Sequence, residues 1–181
     1  MSRNRNRRRP NPNTPQPQAP KTRFTHKISD HFSKKDFIFT TDAGDQKLKV
    51  SMGLVGGLEL LRSLVKKRIT ITKGYITPEA AEREGNWKRN YHPLGLAADI
   101  RVDGMSNEEV FILAESVPEF KGIGLSIDGD HVHVDTRKTA ERSLWVETNA
   151  QMIDLTPALR EKHNLIPRPP VDITPLESDV A

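Results

Sequence analysis

Two runs of metal-binding residue types bracket the stretch 92–135. Segment 92–99 (HPLGLAAD) pairs His92 with Asp99, and segment 130–135 (DHVHVD) holds Asp130, His131, His133 and Asp135. Half of the six histidines in the chain fall in these runs, each close to a carboxylate. Imidazole nitrogen and carboxylate oxygen are the ligands of catalytic zinc sites, which take three protein donors and keep one position open for water. The chain has no cysteine, so a cysteine-ligated structural zinc site, a disulfide and thiol chemistry are all excluded. The residues therefore predict a hydrolytic His/Asp/His centre.

Such a centre needs elements that bring the two runs together. Residues 86–95 contain Asn86, Asn90, Pro93 and Gly95 and read as a loop, with a strand from about Leu96 to Val102. Pro93 and Gly95 let the chain curl so that His92 and Asp99 face one point. Gly122 to Ile127 reads as a strand, Asp128-Gly129 as a hairpin turn, and His131 to Asp135 as the returning strand. Alternation puts His131, His133 and Asp135 on one face and Val132 and Val134 on the other, so either histidine could supply the third ligand.

The remaining signals complete a small fold. Leu54, Leu58, Leu61 and Val65 recur at helical spacing and predict a helix to about Lys67, its first turns weakened by Gly56 and Gly57. The β-branched run Ile69–Thr72 predicts a strand. Thr77-Pro78 starts a helix that stops near Gly85. Capping-box patterns at Ser33–Asp36 and Ser106–Glu109 mark two further helix starts, the second helix reaching about Val117. No internal repeat and no glycine-rich phosphate loop are present. The pattern predicts an α+β domain, a small antiparallel sheet with flanking helices.

Composition bounds the rest. Apolar residues make up 35% of 181, and many of the 13 prolines lie near the ends, so the core is expected in the middle. Residues 1–22 carry Arg3, Arg5, Arg7, Arg8, Arg9, Lys21 and no acid. The net charge of +4 thus belongs to this segment, and the remainder is slightly acidic. The expected organisation is a disordered basic tail over 1–22, a domain over 23–150 and a Pro-rich tail over 151–181. The arginine run could contact an anionic polymer. The sequence contains neither an apolar run long enough for a transmembrane helix nor an apolar region behind the basic start, as a secretion signal would need. A cytoplasmically made, monomeric protein is the expectation, with cell-wall access by phage-type release or a non-standard export route.

A family resemblance rests on several motifs in order. The form His-x-x-Gly-x-Ala-x-Asp at 92–99, followed by Asp-x-x-His-Val-Asp at 130–135, resembles the zinc D-Ala-D-Ala carboxypeptidase family, which includes murein-cleaving endolysins and VanX-type dipeptidases. Segment 30–37 (DHFSKKDF) is similar to the family's opening, 72–78 (TKGYITP) to its Ser-Gly-Tyr-Arg-Thr-Pro segment, and Gly122–Gly124 and 135–145 to its close. The likeness spans about residues 28–147.

The resemblance implies one zinc ion per chain, held by His92, Asp99 and His133, with Asp130 as the catalytic acid/base. Zinc lowers the pKa of water and polarises the scissile carbonyl, and a nearby carboxylate can carry the proton to the leaving amine. The implied substrate is a peptidoglycan stem peptide, with His131, Lys73 and Tyr75 as candidate substrate contacts. Asp130 and His133 have opposite parity on a regular strand, so the strand is expected to begin, or to bulge, near Asp130.

One departure stands out. The family commonly has an arginine where this chain has Ile76, an aliphatic side chain that can bind no carboxylate. Lys73 has the charge but not arginine's bidentate geometry. The rival expectation is therefore a catalytically weak or inactive zinc-binding relative that recognises cell-wall or other ligands. Asp135, Arg137 and Trp145 are expected to hold the fold, and His26, His31 and His163 are given no role.

Overall fold

The computed structural model describes residues 26–85, 90–149 and 151–166. The arginine run, Phe24, residues 86–89 of the expected loop and the final prolines lie outside these residues.

A six-stranded sheet forms the centre, in the order β3-β4-β6-β5-β7-β8. Its strands are β3 (Ile69–Lys73), β4 (Ala97–Val102), β5 (Gly122–Ser126), β6 (Val132–Asp135), β7 (Ser143–Thr148) and β8 (Gln151–Asp154). A two-stranded ribbon, β1 (Phe39–Thr40) with β2 (Gln46–Lys47), precedes them. The helices are α1 (Met52–Val65), α2 (Pro78–Arg83), α3 (Asn107–Ala114) and α4 (Pro157–Lys162). The molecule is a single α+β domain.

Strand alternation divides the sheet into two faces. Ala98, Ile100 and Val102 of β4, Ile123 and Leu125 of β5, Val132 and Val134 of β6, and Val146 of β7 are buried in one core cluster. Leu54, Leu58, Leu61 and Val65 of α1 and Val110, Phe111 and Ala114 of α3 join them, so the helical stripe read from the sequence is the one that packs. Residues of the opposite parity, among them Asp99, Arg101, His133, Gly124 and Trp145, line the other face. That division of an antiparallel-type sheet, one face on the core and one free for polar work, is what period-two patterning produces.

Local signals hold at most helix starts. Ser51, Thr77, Ser106 and Thr156 each accept a backbone N–H as N-caps, and Ser106 with Glu109 forms a full capping box. Ser33 and Asp36 also form a capping box, but it opens only a 3-10 turn, Lys34–Asp36.

Two expectations are corrected. The sheet is not wholly antiparallel, because β5 and β7 run parallel. After the β5–β6 hairpin, segment 136–142 carries the chain back so that β7 enters beside β5 in the same direction; parallel neighbours need such a crossover. The C-terminal tail does not begin at 151 either. β8 pairs with β7, and Leu165 is fully buried in the core beside partly buried Leu155 and Leu159. Pro167, Pro169, Pro170 and Pro175 gave the whole region a tail-like composition, whereas the docked part, 151–166, contains only Pro157.

Candidate metal centre

Cross-strand register builds the site. Lys73 lies opposite Asp99, Asp99 opposite His133, His133 opposite Gly124, and Gly124 opposite Trp145. These residues form one rung across the open face. His92 comes in from the side, on a 3-10 turn (His92–Leu94) that ends at Gly95 with φ 70°. That left-handed cap suits glycine, and a Cβ there would sit 2.7 Å from the backbone of Lys49. The Gly95 carbonyl in turn accepts from Ser51 N at 2.7 Å, tying the ligand loop to the cap of α1.

His92, Asp99 and His133 bring ligand atoms within 4.8 Å of one another. His92 and Asp99 are buried (4% and 6% exposed), and the His133 side chain is 15% exposed. Asp99 Oδ1 lies 3.2 Å from His92 Nε2 and 2.8 Å from His133 Nδ1. His92 Nδ1 is 2.6 Å from the carbonyl of Gly74 and donates to it, so Nε2 is the nitrogen left for a metal. His133 uses the opposite nitrogen. Its Nε2 faces Asp135 Oδ2 at 3.3 Å, leaving Nδ1 toward Asp99. Partners of this kind fix tautomer and ring orientation in zinc sites. Two imidazoles, each oriented from behind, and one carboxylate fit the donor set of a catalytic zinc centre.

The electrostatics follow from burial and pairing. Burial opposes the charge on Asp99, yet its hydrogen bonds with His133 and His92 hold it well below the usual carboxylate range. Burial also opposes charging of His133, but hydrogen bonds to Asp135 and Asp99 outweigh it and raise the imidazole to about 9. Asp135, fully buried, is lowered to about 2 because its bonds with Arg137 and His133 exceed the burial penalty.

The other expected site residues divide. His131 stands beside the triad, its Nε2 3.9 Å from Asp99 Oδ2. Asp130 lies in the turn before β6, which starts at Val132, so strand parity does not apply to it. Its side chain is 76% exposed and pairs with Arg101 at 2.5 Å, on the same face as Asp99 and one alternation further along β4. Lys73 reaches Glu84 instead, with Nζ 3.2 Å from both carboxylate oxygens. Tyr75 is half-buried, and its amide is bound to the carbonyl of Phe37. Ile76 is 3% exposed and packs with Ala80, Ala81 and Phe39.

Sequence reasoning missed several supports. The Gly74 carbonyl has no side-chain signal. Asn90, read only as a loop residue, accepts the His92 amide at 3.0 Å. Trp145 lies with its ring centroid 5.3 Å from that of His133. It can do so because position 124 is glycine, where a Cβ would overlap the indole.

A profile of the Peptidase M15 family matches residues 30–135, more than half of the chain. The chain belongs to the Peptidase M15 family, a family of zinc peptidases, and is a metallopeptidase by that membership. No curated protein matches it. The His92, Asp99 and His133 group is the site that could hold the family's zinc. Among the described residues, no helix is long and apolar enough to cross a membrane.

Proposed function

We propose that the protein hydrolyses peptide bonds in peptidoglycan stem peptides, as a D-Ala-D-Ala carboxypeptidase-like enzyme or a murein endopeptidase. The observation that carries this reading is the triad of His92, Asp99 and His133, whose two imidazoles are oriented by the Gly74 carbonyl and the Asp135 carboxylate. Bound zinc would supply Lewis-acid polarisation of the scissile carbonyl and lower the pKa of water. The chain's own residues supply the rest. Asp130 takes the proton of the attacking water and passes it to the leaving amine, after exchanging its exposed contact with Arg101 for the substrate. His131, beside Asp99, contacts the developing negative charge. Lys73 and Tyr75 line the approach from the β3 side, and Lys73 must leave Glu84 to meet a substrate carboxylate.

One observation favours a second reading, a weak or inactive zinc-binding relative that recognises cell-wall ligands. Ile76 is core, and Lys73, the nearest cation in that motif, is already paired. Zinc analysis and muropeptide hydrolysis by the purified full chain, beside Asp130→Ala and His133→Ala, decide between the two. Stoichiometric zinc with cleavage lost in both variants supports the enzyme. Stoichiometric zinc without cleavage of any wall peptide by the wild type supports the binder. Full cleavage by Asp130→Ala removes Asp130 from the mechanism.

A further inference from the structure

Arg137 meets three groups at once. Its Nε and Nη2 donate to Asp135, at 2.8 Å to Oδ1 and 2.5 Å to Oδ2, and its own amide adds a bond to Oδ1 at 3.0 Å. Its guanidinium carbon lies 4.4 Å from the ring centroid of Tyr91 and 5.3 Å from that of Trp145. Each of these neighbours leads to a histidine of the triad. Asp135 faces His133 Nε2, Trp145 lies against the His133 ring, and Tyr91 immediately precedes His92.

We infer that Arg137 is a positioning residue that braces both histidine ligands, His133 through Asp135 and Trp145, and His92 through Tyr91. The inference rests on the reading of His92, Asp99 and His133 as the zinc ligands. The chemistry requires arginine. A planar fork can bind a carboxylate along one edge while its face stacks on an aromatic ring, whereas a lysine ammonium, a point charge, has neither the bidentate edge nor a flat face to stack. The Asp135 carboxylate, turned by that fork, keeps the Nε2 proton of His133 in place and so leaves Nδ1 as the lone-pair donor. Tyr91, with the guanidinium over its ring, fixes the entry of the His92 turn.

The test measures zinc affinity by competition with a chromogenic chelator, with thermal midpoints of the metal-free proteins recorded in parallel. Arg137→Lys and Asp135→Asn are each expected to weaken zinc binding by about 10- to 100-fold. The double variant should lose less than the product of the two single losses, because both act through one contact. Tyr91→Leu removes only the stack, leaves the Asp135 bonds intact, and should weaken zinc by a smaller factor. It keeps the question open to measurement if Arg137→Lys does not fold. Cobalt-substituted Arg137→Lys should show a shifted visible absorption spectrum, reporting altered ligand geometry. A purely structural role would lower the metal-free midpoints while leaving zinc affinity within twofold of wild type and the cobalt spectrum unchanged, and that result overturns the inference. Failure of the wild type itself to bind zinc would instead overturn the metallopeptidase reading and this inference with it.

Discussion

The ring of His92 donates from Nδ1 to the main-chain carbonyl of Gly74 at 2.6 Å, across a sequence separation of 18 residues. A backbone acceptor cannot be removed by mutation or change its charge. It turns Nε2 of His92 toward Asp99 from the residue that follows β3, so this ring is oriented by the main chain rather than by a neighbouring side chain.

If His92, Asp99 and His133 together hold the ion, no two of them suffice. His92→Ala, Asp99→Ala and His133→Ala should each retain well under one equivalent of zinc after dialysis, by elemental analysis, and should lose peptide cleavage. Retention of a full equivalent by any of the three would exclude that residue as a ligand.

Asp130→Ala should separate binding from chemistry. Asp130 is largely exposed and bonded only to Arg101 among the described contacts, so its removal should leave stability within about 0.5 kcal/mol. As the acid/base it should account for about 100- to 10,000-fold in kcat. The measurement is kcat with zinc content checked in the same preparation.

Restoring the family's arginine at position 76 should fail. Ile76 is buried against Ala80, Ala81 and Phe39, so Ile76→Arg places a charge where the described contacts offer no partner. Destabilisation on the order of 3 kcal/mol or more is expected, with no gain in carboxypeptidase activity. Denaturant titration checks the first expectation and a dipeptide assay the second.

The metal-free protein should be most stable in mildly acidic solution. His133 is raised to about 9, so its contribution is complete below its unfolded value near 6.5 and is lost as pH rises through about 9. Asp135 is lowered to about 2, so its contribution is present above the ordinary carboxylate value and fades as pH falls toward 2. Thermal midpoints without zinc should therefore decline on both sides of about pH 4–6.5. Zinc must displace the His133 proton, so below pH 9 its apparent affinity should fall about tenfold per pH unit from this group alone. Calorimetry in two buffers of different ionisation enthalpy would show the released proton.

The wall formed by Trp145 should depend on shape and not on a hydrogen bond. Its indole Nε1 is buried without a partner among the described residues, so Trp145→Phe should cost less than Trp145→Ala. Gly124→Ala pushes a methyl group into the indole and should cost about 1–3 kcal/mol by overpacking, with weaker zinc binding as the ring leaves His133. Thermal unfolding with and without zinc distinguishes the two effects.

What the sequence determined by itself was local. The ligand residue types, the Gly95 curl, the N-caps of α2 and α3, the α1 stripe, the β4 strand and the alternation of β6 all depend on neighbours within a few positions, and each is found in the fold. The tertiary structure decided what depends on register. Periodicity left His131 and His133 equivalent, and only the pairing of β4 with β6 sets His133 opposite Asp99 at 2.8 Å and leaves His131 3.9 Å away. The same holds for Ile76, whose burial under α2 turns a substituted substrate contact into a core residue, and for Lys73, which a helix on the next segment supplies with Glu84. The parallel β5–β7 pair and the docking of Leu165 are likewise long-range, since a strand's partner and a tail's burial are set by the surface the rest of the chain presents. Arg137 is the clearest case. In the sequence it is a charge two residues after an aspartate, and in the fold its guanidinium carbon lies 4.4 Å from the ring centroid of Tyr91 and 5.3 Å from that of Trp145.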